Sequence, residues 1–266
     1  MRVNLGGIVP LSTVDWPGRA SLVVFLRGCP LRCPHCQNSA LQKGRSLEEF
    51  HAVASRVASI SKGETREDAQ IDLEEASVRV SARPFVDAIV LSGGEPLMQP
   101  RATARLLSLA RSLGLATAIE TSGCYPERLG PILQSRLVDR VFLDLKGPLR
   151  EQAYEMATGR KGVADRVQRS LEMCMSSRAP LEARLTVFPE MPQPSYIFEV
   201  ATTLERICEE HPDHRLEALV LQQGRPSEGE CFEPVAAESL RRTAELLDGK
   251  IAVRVRGVPV RSWNGR

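Results

Sequence analysis

Seven short runs rich in Val, Leu, Ile or Phe recur along this 266-residue chain, and amphipathic stretches separate them. The runs are Ser21–Arg27, Asp87–Ser92, Leu115–Glu120, Asp139–Leu145, Leu181–Phe188, Glu217–Gln222 and Lys250–Val255. Each has the length and near-continuous apolar character of a strand buried on both faces. The stretches Pro100–Leu113, Ala164–Ser176, Ser195–His211 and Pro234–Leu247 read as helices; Val167, Leu171 and Cys174 share one face of the second. Strand–helix alternation of this kind predicts an α/β chain with a parallel sheet. Six or seven βα units suit one domain over 1–266, built as a partial (β/α)6-type TIM barrel, better than two domains. Residues 1–19 precede the first buried run and carry turn chemistry at Gly6-Gly7 and Trp16-Pro17-Gly18, so they read as an N-terminal extension. The charge-dense segment 61–83 reads as a solvated surface insertion.

Charge and composition narrow the function. Lys+Arg 35 against Asp+Glu 33 leaves a formal net charge of +2, and only 5% of residues are aromatic. Neither balance draws the chain to nucleic acid or to a membrane surface. No run of eighteen apolar residues and no export signal is visible, which makes the cytoplasm the expected compartment. In that compartment seven cysteines, an odd number, read as thiols or metal ligands instead of a disulfide framework.

Three of them, Cys29, Cys33 and Cys36, fall within eight residues just after the first buried run. The end of a strand is where βα folds assemble their sites, and Gly28, Pro30 and Pro34 favour a turning loop over a helix. A structural zinc would want a fourth ligand, for which His35 is the nearby candidate; Cys124, Cys174, Cys208 and Cys231 stand singly. A ferredoxin-like cluster would also want four thiolates, so three suggest a cubane with one iron open to a ligand. The Cys-x3-Cys-x2-Cys spacing resembles the signature of the radical S-adenosylmethionine (SAM) superfamily, where the open iron chelates the amino and carboxylate groups of SAM.

Other strand ends extend the resemblance. Paired glycines in Gly93-Gly94-Glu95 let backbone approach a ligand closely, and in that superfamily such a segment meets the SAM amino group with backbone carbonyls. Glu120 ends the third run; Asp144 and Lys146 end the fourth and would point to one side of a strand. The chain is also similar to glycyl-radical-enzyme activases, in which an Asp-x-Lys at this strand and an arginine at the position of Arg184 serve SAM. His35 occupies the place of an aromatic residue that packs near the adenine. Gln222, Gln223 and Cys124 are further, weaker candidates at the strand ends.

Gly7–Gly18, followed by Val23-Val24-Phe25 and the cysteines, resembles the start of anaerobic ribonucleoside-triphosphate reductase activating proteins. It is similar to the Asp-Gly-Pro-Gly segment that activases use to dock the glycyl loop, with Trp16 in place of glycine and Arg19 directly after Gly18. The resemblance implies a [4Fe-4S] cluster, SAM, and a flavodoxin- or ferredoxin-type electron donor. It further implies reductive cleavage of SAM to a 5′-deoxyadenosyl radical, which installs a glycyl radical on anaerobic ribonucleotide reductase. Two alternatives stand beside it: an enzyme similar to 7-carboxy-7-deazaguanine synthase acting on a small molecule or RNA nucleobase, and a zinc-stapled binding protein.

Overall fold

The structure is a computed structural model that describes residues 1–64, 85–227, 230–247, 249 and 251–257. Their contacts group the chain into two compact units that alternate along the sequence. The first comprises Met1–Pro30, Asn38–Thr121 and Glu127–Val141; the second comprises Leu31–Gln37, Ser122–Pro126 and Phe142–Arg266, as far as these are described.

In the first unit the strands are β1 (Arg2–Ser12), β2 (Ser21–Leu26), β3 (Leu47–Glu49), β4 (Ala88–Gly93) and β5 (Ala116–Thr121), ordered β3-β1-β2-β4-β5. Strands β2 and β4 run parallel in unbroken register from Ser21↔Ala88 to Leu26↔Gly93. That register brings the end of the first apolar run beside the glycine pair. Leu22, Val23, Val24 and Leu26 and their neighbours Ile89, Val90 and Leu91 are all fully buried. Each such side chain contributes about 1.5–3 kcal/mol on burial. The helices are α1 (Phe50–Lys62), α2 (Pro100–Ser112) and α3 (Pro126–Gln134). Helix α1 stops at Gly63, whose left-handed φ of 76° supplies the usual C-terminal cap. Pro100 opens α2, where a missing N–H costs nothing.

The second unit takes up β6 (Arg140–Leu145) at Phe142 and adds β7 (Leu181–Val187), β8 (Leu216–Gln223) and β9 (Val253–Arg256), in that order. The β7–β8 and β8–β9 pairs are parallel. Its helices are α4 (Glu151–Thr158), α5 (Ala164–Met175), α6 (Pro194–Glu210) and α7 (Ala237–Leu246). Val167, Leu171 and Cys174 are fully buried on the inner face of α5, as the sequence pattern predicts.

The N-terminal extension differs from its expectation. Residues 2–12 form a strand, antiparallel to β2 with Ile8 opposite Val24 and Val9 opposite Val23. Val3 and Leu5 are buried, so the alternation of a half-buried strand is present but interrupted by Gly6-Gly7. Gly6 serves close approach: a Cβ there would fall 2.9 Å from Leu41 Cδ2 and 3.0 Å from the Phe25 carbonyl oxygen. A register shift between Leu5 and Gly7 absorbs the irregularity.

The following turn is fixed at the N-terminal ends of the parallel strands. Ser12 Oγ donates to Asp15 Oδ2 and accepts from the backbone of Val14 and Asp15. Trp16 is buried, with the Arg19 and Arg140 guanidinium carbons 5.1 and 5.9 Å from its ring. Ala20 N–H donates to Asp87 Oδ2 just before β2 and β4 begin. Of the charged segment 61–83, residues 61–64 close α1; 65–83 lie outside the described residues, as does Lys250 of the last expected strand.

Candidate functional site

In the first unit the site begins where β2 ends. Gly28 has φ +106°, a value that L side chains rarely adopt, and turns the chain toward Cys29. The Gly28 N–H donates to the Leu41 carbonyl at 2.7 Å and the Cys29 N–H to the Gln42 carbonyl at 3.2 Å. Arg27 Nη1 holds the same loop by donating to the carbonyls of Ala40 (2.6 Å) and Lys43 (3.2 Å).

Gly93-Gly94-Glu95 is stitched against this turn by backbone. Gly94 N–H donates to the Leu26 carbonyl at 2.9 Å, and Glu95 N–H to the Gly28 carbonyl at 2.8 Å. A Cβ on Gly93, whose φ is +126°, would fall 2.2 Å from the Leu26 oxygen. On Gly94 it would fall 2.3 Å from the Gly28 oxygen and 3.1 Å from Cys29 Cβ. The glycine pair is thus what lets this backbone lie directly on the residue before Cys29. Asn38 Nδ2 donates to the Gly93 carbonyl at 3.2 Å.

The Glu95 side chain turns inward. It is fully buried, and Oε1 accepts from Leu97 N–H (3.1 Å), capping the short 3-10 turn Pro96–Met98, and from Thr121 Oγ1 (2.8 Å). Glu120 Oε2 accepts from Ser92 Oγ. Glu95 therefore offers its backbone toward the glycine turn, while its carboxylate joins β5 to β4.

The second unit carries Cys33 and Cys36, both half-buried. Arg32 N–H donates to the Thr158 carbonyl at 2.7 Å, which ties the cysteine loop to the end of α4. Asp144 and Lys146 lie on one side of β6 as expected, with Lys146 Nζ 3.3 Å from Asp144 Oδ2. Tyr154, buried on α4, accepts the Lys146 N–H on its hydroxyl at 3.2 Å. Burial pulls the Lys146 ammonium toward losing its proton, but Asp144 and then Cys33 outweigh it and hold its pKa above the ordinary range. Burial pushes the Cys33 thiol up, with Lys146 opposing.

Arg184 is 2% exposed; its Nε donates to Glu182 Oε1 at 2.7 Å and its guanidinium lies 3.7 Å over the Phe142 ring. Arg256 on β9 shares that carboxylate at 2.9 Å and donates to Gln222 Oε1 at 3.0 Å. Gln223 Nε2 instead donates to the Val235 carbonyl at 2.7 Å. Cys124 is buried and 3.1 Å from Ser122 Oγ.

His35 has a partner the sequence did not announce. Its Nδ1 stands 2.8 Å from Glu230 Oε1, and its ring packs on Phe188 (centroids 4.7 Å) and edge-on to Phe232 (5.7 Å). The Ser227 N–H, then His35, hold the Glu230 carboxyl below the usual range. Glu230, Phe232, Ser227 and Tyr154 belong to no spacing pattern; of the residues supporting the loop, only Asn38, in Cys36-Gln37-Asn38, sits in a motif.

These residues fit an iron–sulfur cluster and SAM. Cys29, Cys33 and Cys36 carry thiol sulfur, the soft donor that iron–sulfur clusters take. Among the described residues Asp144 Oδ1 is a buried acceptor with no hydrogen-bond partner, which suits an ammonium donor. Among the described residues no three His, Cys, Asp or Glu side chains come together as a single bound metal ion would require.

Residues 23–194, more than half of the chain, match the family model described as the radical SAM superfamily. The chain belongs to the radical SAM superfamily. It is a radical SAM enzyme, with the expected α/β fold of that kind and a [4Fe-4S] cluster and SAM as its cofactors. A Methanocaldococcus jannaschii protein, named among the glycyl-radical enzyme activating enzymes, is 28% identical over 268 residues, covering 100% of this chain and 98% of its own. The pyruvate formate-lyase 2-activating enzyme of Escherichia coli is 31% identical over 182 residues, 63% of this radical SAM chain and 61% of its own. Streptococcus suis SuiB, solved with its precursor peptide SuiA, superposes with a TM-score of 0.61 at 14% identity, over 89% of this chain and 48% of that one. That likeness is one of fold.

Proposed function

We propose that this radical SAM enzyme is a glycyl-radical-enzyme activating enzyme, and that its partner is an anaerobic ribonucleotide reductase. The observation that carries the first half is the end-to-end similarity to the M. jannaschii relative, since the two chains correspond over nearly their whole lengths. The N-terminal segment Gly7–Gly18 supports the second half. We assign Cys29, Cys33 and Cys36 to the cluster, and the backbone of Gly93, Gly94 and Glu95 together with Asp144 to the SAM ammonium. Lys146 and Arg184 are assigned to its carboxylate, His35 to the edge of its adenine, and Glu120 to the same cofactor through β5.

When bound, the cluster and SAM supply reductive cleavage to a 5′-deoxyadenosyl radical that removes a hydrogen atom from the partner's glycine. The chain's own part is to hold and orient. Lys146, paired with the Asp144 carboxylate at 3.3 Å, presents a positive charge held in one place. The glycine pair lets its backbone lie on the turn before Cys29, where side chains would not fit. The working compartment under this reading is the cytoplasm, where a flavodoxin- or ferredoxin-type donor supplies the electron.

Mixing the anaerobically reconstituted enzyme, SAM, reductant and an anaerobic ribonucleotide reductase should produce a glycyl-radical doublet by EPR. A doublet with pyruvate formate-lyase in its place would keep the activase and replace the partner. Formation of 5′-deoxyadenosine with no doublet on any glycyl-radical enzyme would end the activase reading.

A further inference from the structure

The chain after β8 returns to the cysteine loop and touches it at three points, all within the second unit. Glu230 Oε1 meets His35 Nδ1 at 2.8 Å, while the other carboxylate oxygen accepts the Ser227 N–H at 2.8 Å, so both oxygens are held. Phe232 closes edge-on against His35 and Phe188, with ring centroids 5.7 and 5.8 Å from its own. Ser227 Oγ reaches the Cys36 carbonyl at 3.4 Å, a long contact that points the same way. Gly224 makes room for the arrangement, because a Cβ there would fall 2.3 Å from Phe188 Cδ1.

We infer that residues 224–227 and 230–232 are a tether for the cysteine loop, and that Glu230 is a positioning residue acting on Cys33 and Cys36 through His35. His35 lies between those two cysteines in the chain, so fixing its ring on two sides fixes the backbone that carries both thiols. Two phenylalanines hold the ring by packing, and the carboxylate sets its rotation by one directed bond. The consequence for the cofactor rests on the reading that these cysteines bind the cluster; the consequence for the loop itself does not.

The test uses the full chain, metal-free and reconstituted, with Glu230→Ala, Glu230→Gln and Ser227→Ala, and with Glu238→Ala on exposed α7 as control. Hydrogen exchange in the metal-free protein should quicken about fivefold over residues 31–38 in Glu230→Ala, the change expected from one ordinary hydrogen bond. Glu230→Gln keeps an acceptor of the same shape and should recover part of it. In reconstituted protein, Glu230→Ala should lose iron to a chelator about fivefold faster and alter the EPR change that SAM causes in the reduced cluster. Exchange, iron loss and spectra equal to wild type would overturn the tether. So would faster exchange spread evenly over the molecule, which marks general destabilisation. If wild-type protein bound no iron, the cysteine assignment would fail, and the metal-free exchange comparison would still decide the tether.

Discussion

At the scale of single residues the seven cysteines separate by environment. Cys174 is fully buried on α5, and burial pushes its thiol up to about 12; Cys231 is exposed. Thiolate is the reactive form, so brief alkylation of native metal-free protein near neutral pH should label Cys231 and leave Cys174 untouched. Peptide mapping by mass spectrometry checks this, and reconstitution with iron and sulfide should protect Cys29, Cys33 and Cys36 while Cys231 stays open. Gly94 allows a second prediction. Its Cβ would meet backbone at Gly28, which has no flexible end to swing aside. Gly94→Ala should destabilise the fold by about 1–3 kcal/mol in a urea melt, as overpacking does. It should also weaken SAM binding at least about tenfold by calorimetry, because the proposed assignment sets the SAM ammonium on that backbone as its cradle. An unchanged SAM affinity would remove the cradle from the site.

At the scale of elements, helix α4 ties two parts of the second unit together. Its last carbonyl accepts from Arg32 at the cysteine loop, Thr158 Oγ1 bonds back to the Tyr154 carbonyl, and the Tyr154 hydroxyl accepts the N–H of Lys146 at the end of β6. Tyr154→Phe leaves that N–H unsatisfied at about 1–3 kcal/mol. Chemical denaturation should show the loss, and SAM affinity should fall with it if Lys146 holds the SAM carboxylate. The parallel strands β2 and β4 to β8 were legible in the sequence to within a residue or two, because their apolar runs are continuous; β9 begins at Val253, three residues after the expected start. Strand β1 was not legible, since Gly6-Gly7 looks like a turn when the reason for glycine at position 6 is contact with Leu41 and Phe25. The motifs proposed to hold the cofactors were legible because their spacing is local. Glu230 and Phe232 were not, because only the fold brings them to His35 across almost two hundred positions of chain.

At the scale of the whole molecule, the turn at Trp16 lies at the start of β2, and Cys29 follows its end. A strand of that length separates them by about 20 Å. If segment 7–18 docks a partner protein, its contact falls well away from Cys29 within the first unit. Val14 is 68% exposed and suits the test. Val14→Asp should leave partner-free cleavage of SAM unchanged while lowering the glycyl-radical yield several-fold, as a charge placed in an apolar contact does. Equal yields at limiting partner concentration would take the segment out of recognition.

The superfamily match ends at residue 194, whereas Ser227, Glu230 and Phe232 come later in the chain. The shared catalytic range thus leans on a prop drawn from sequence beyond it. A change at Ser227, Glu230 or Phe232 would then alter how firmly the cysteine loop is held while every residue of the matched range stayed the same.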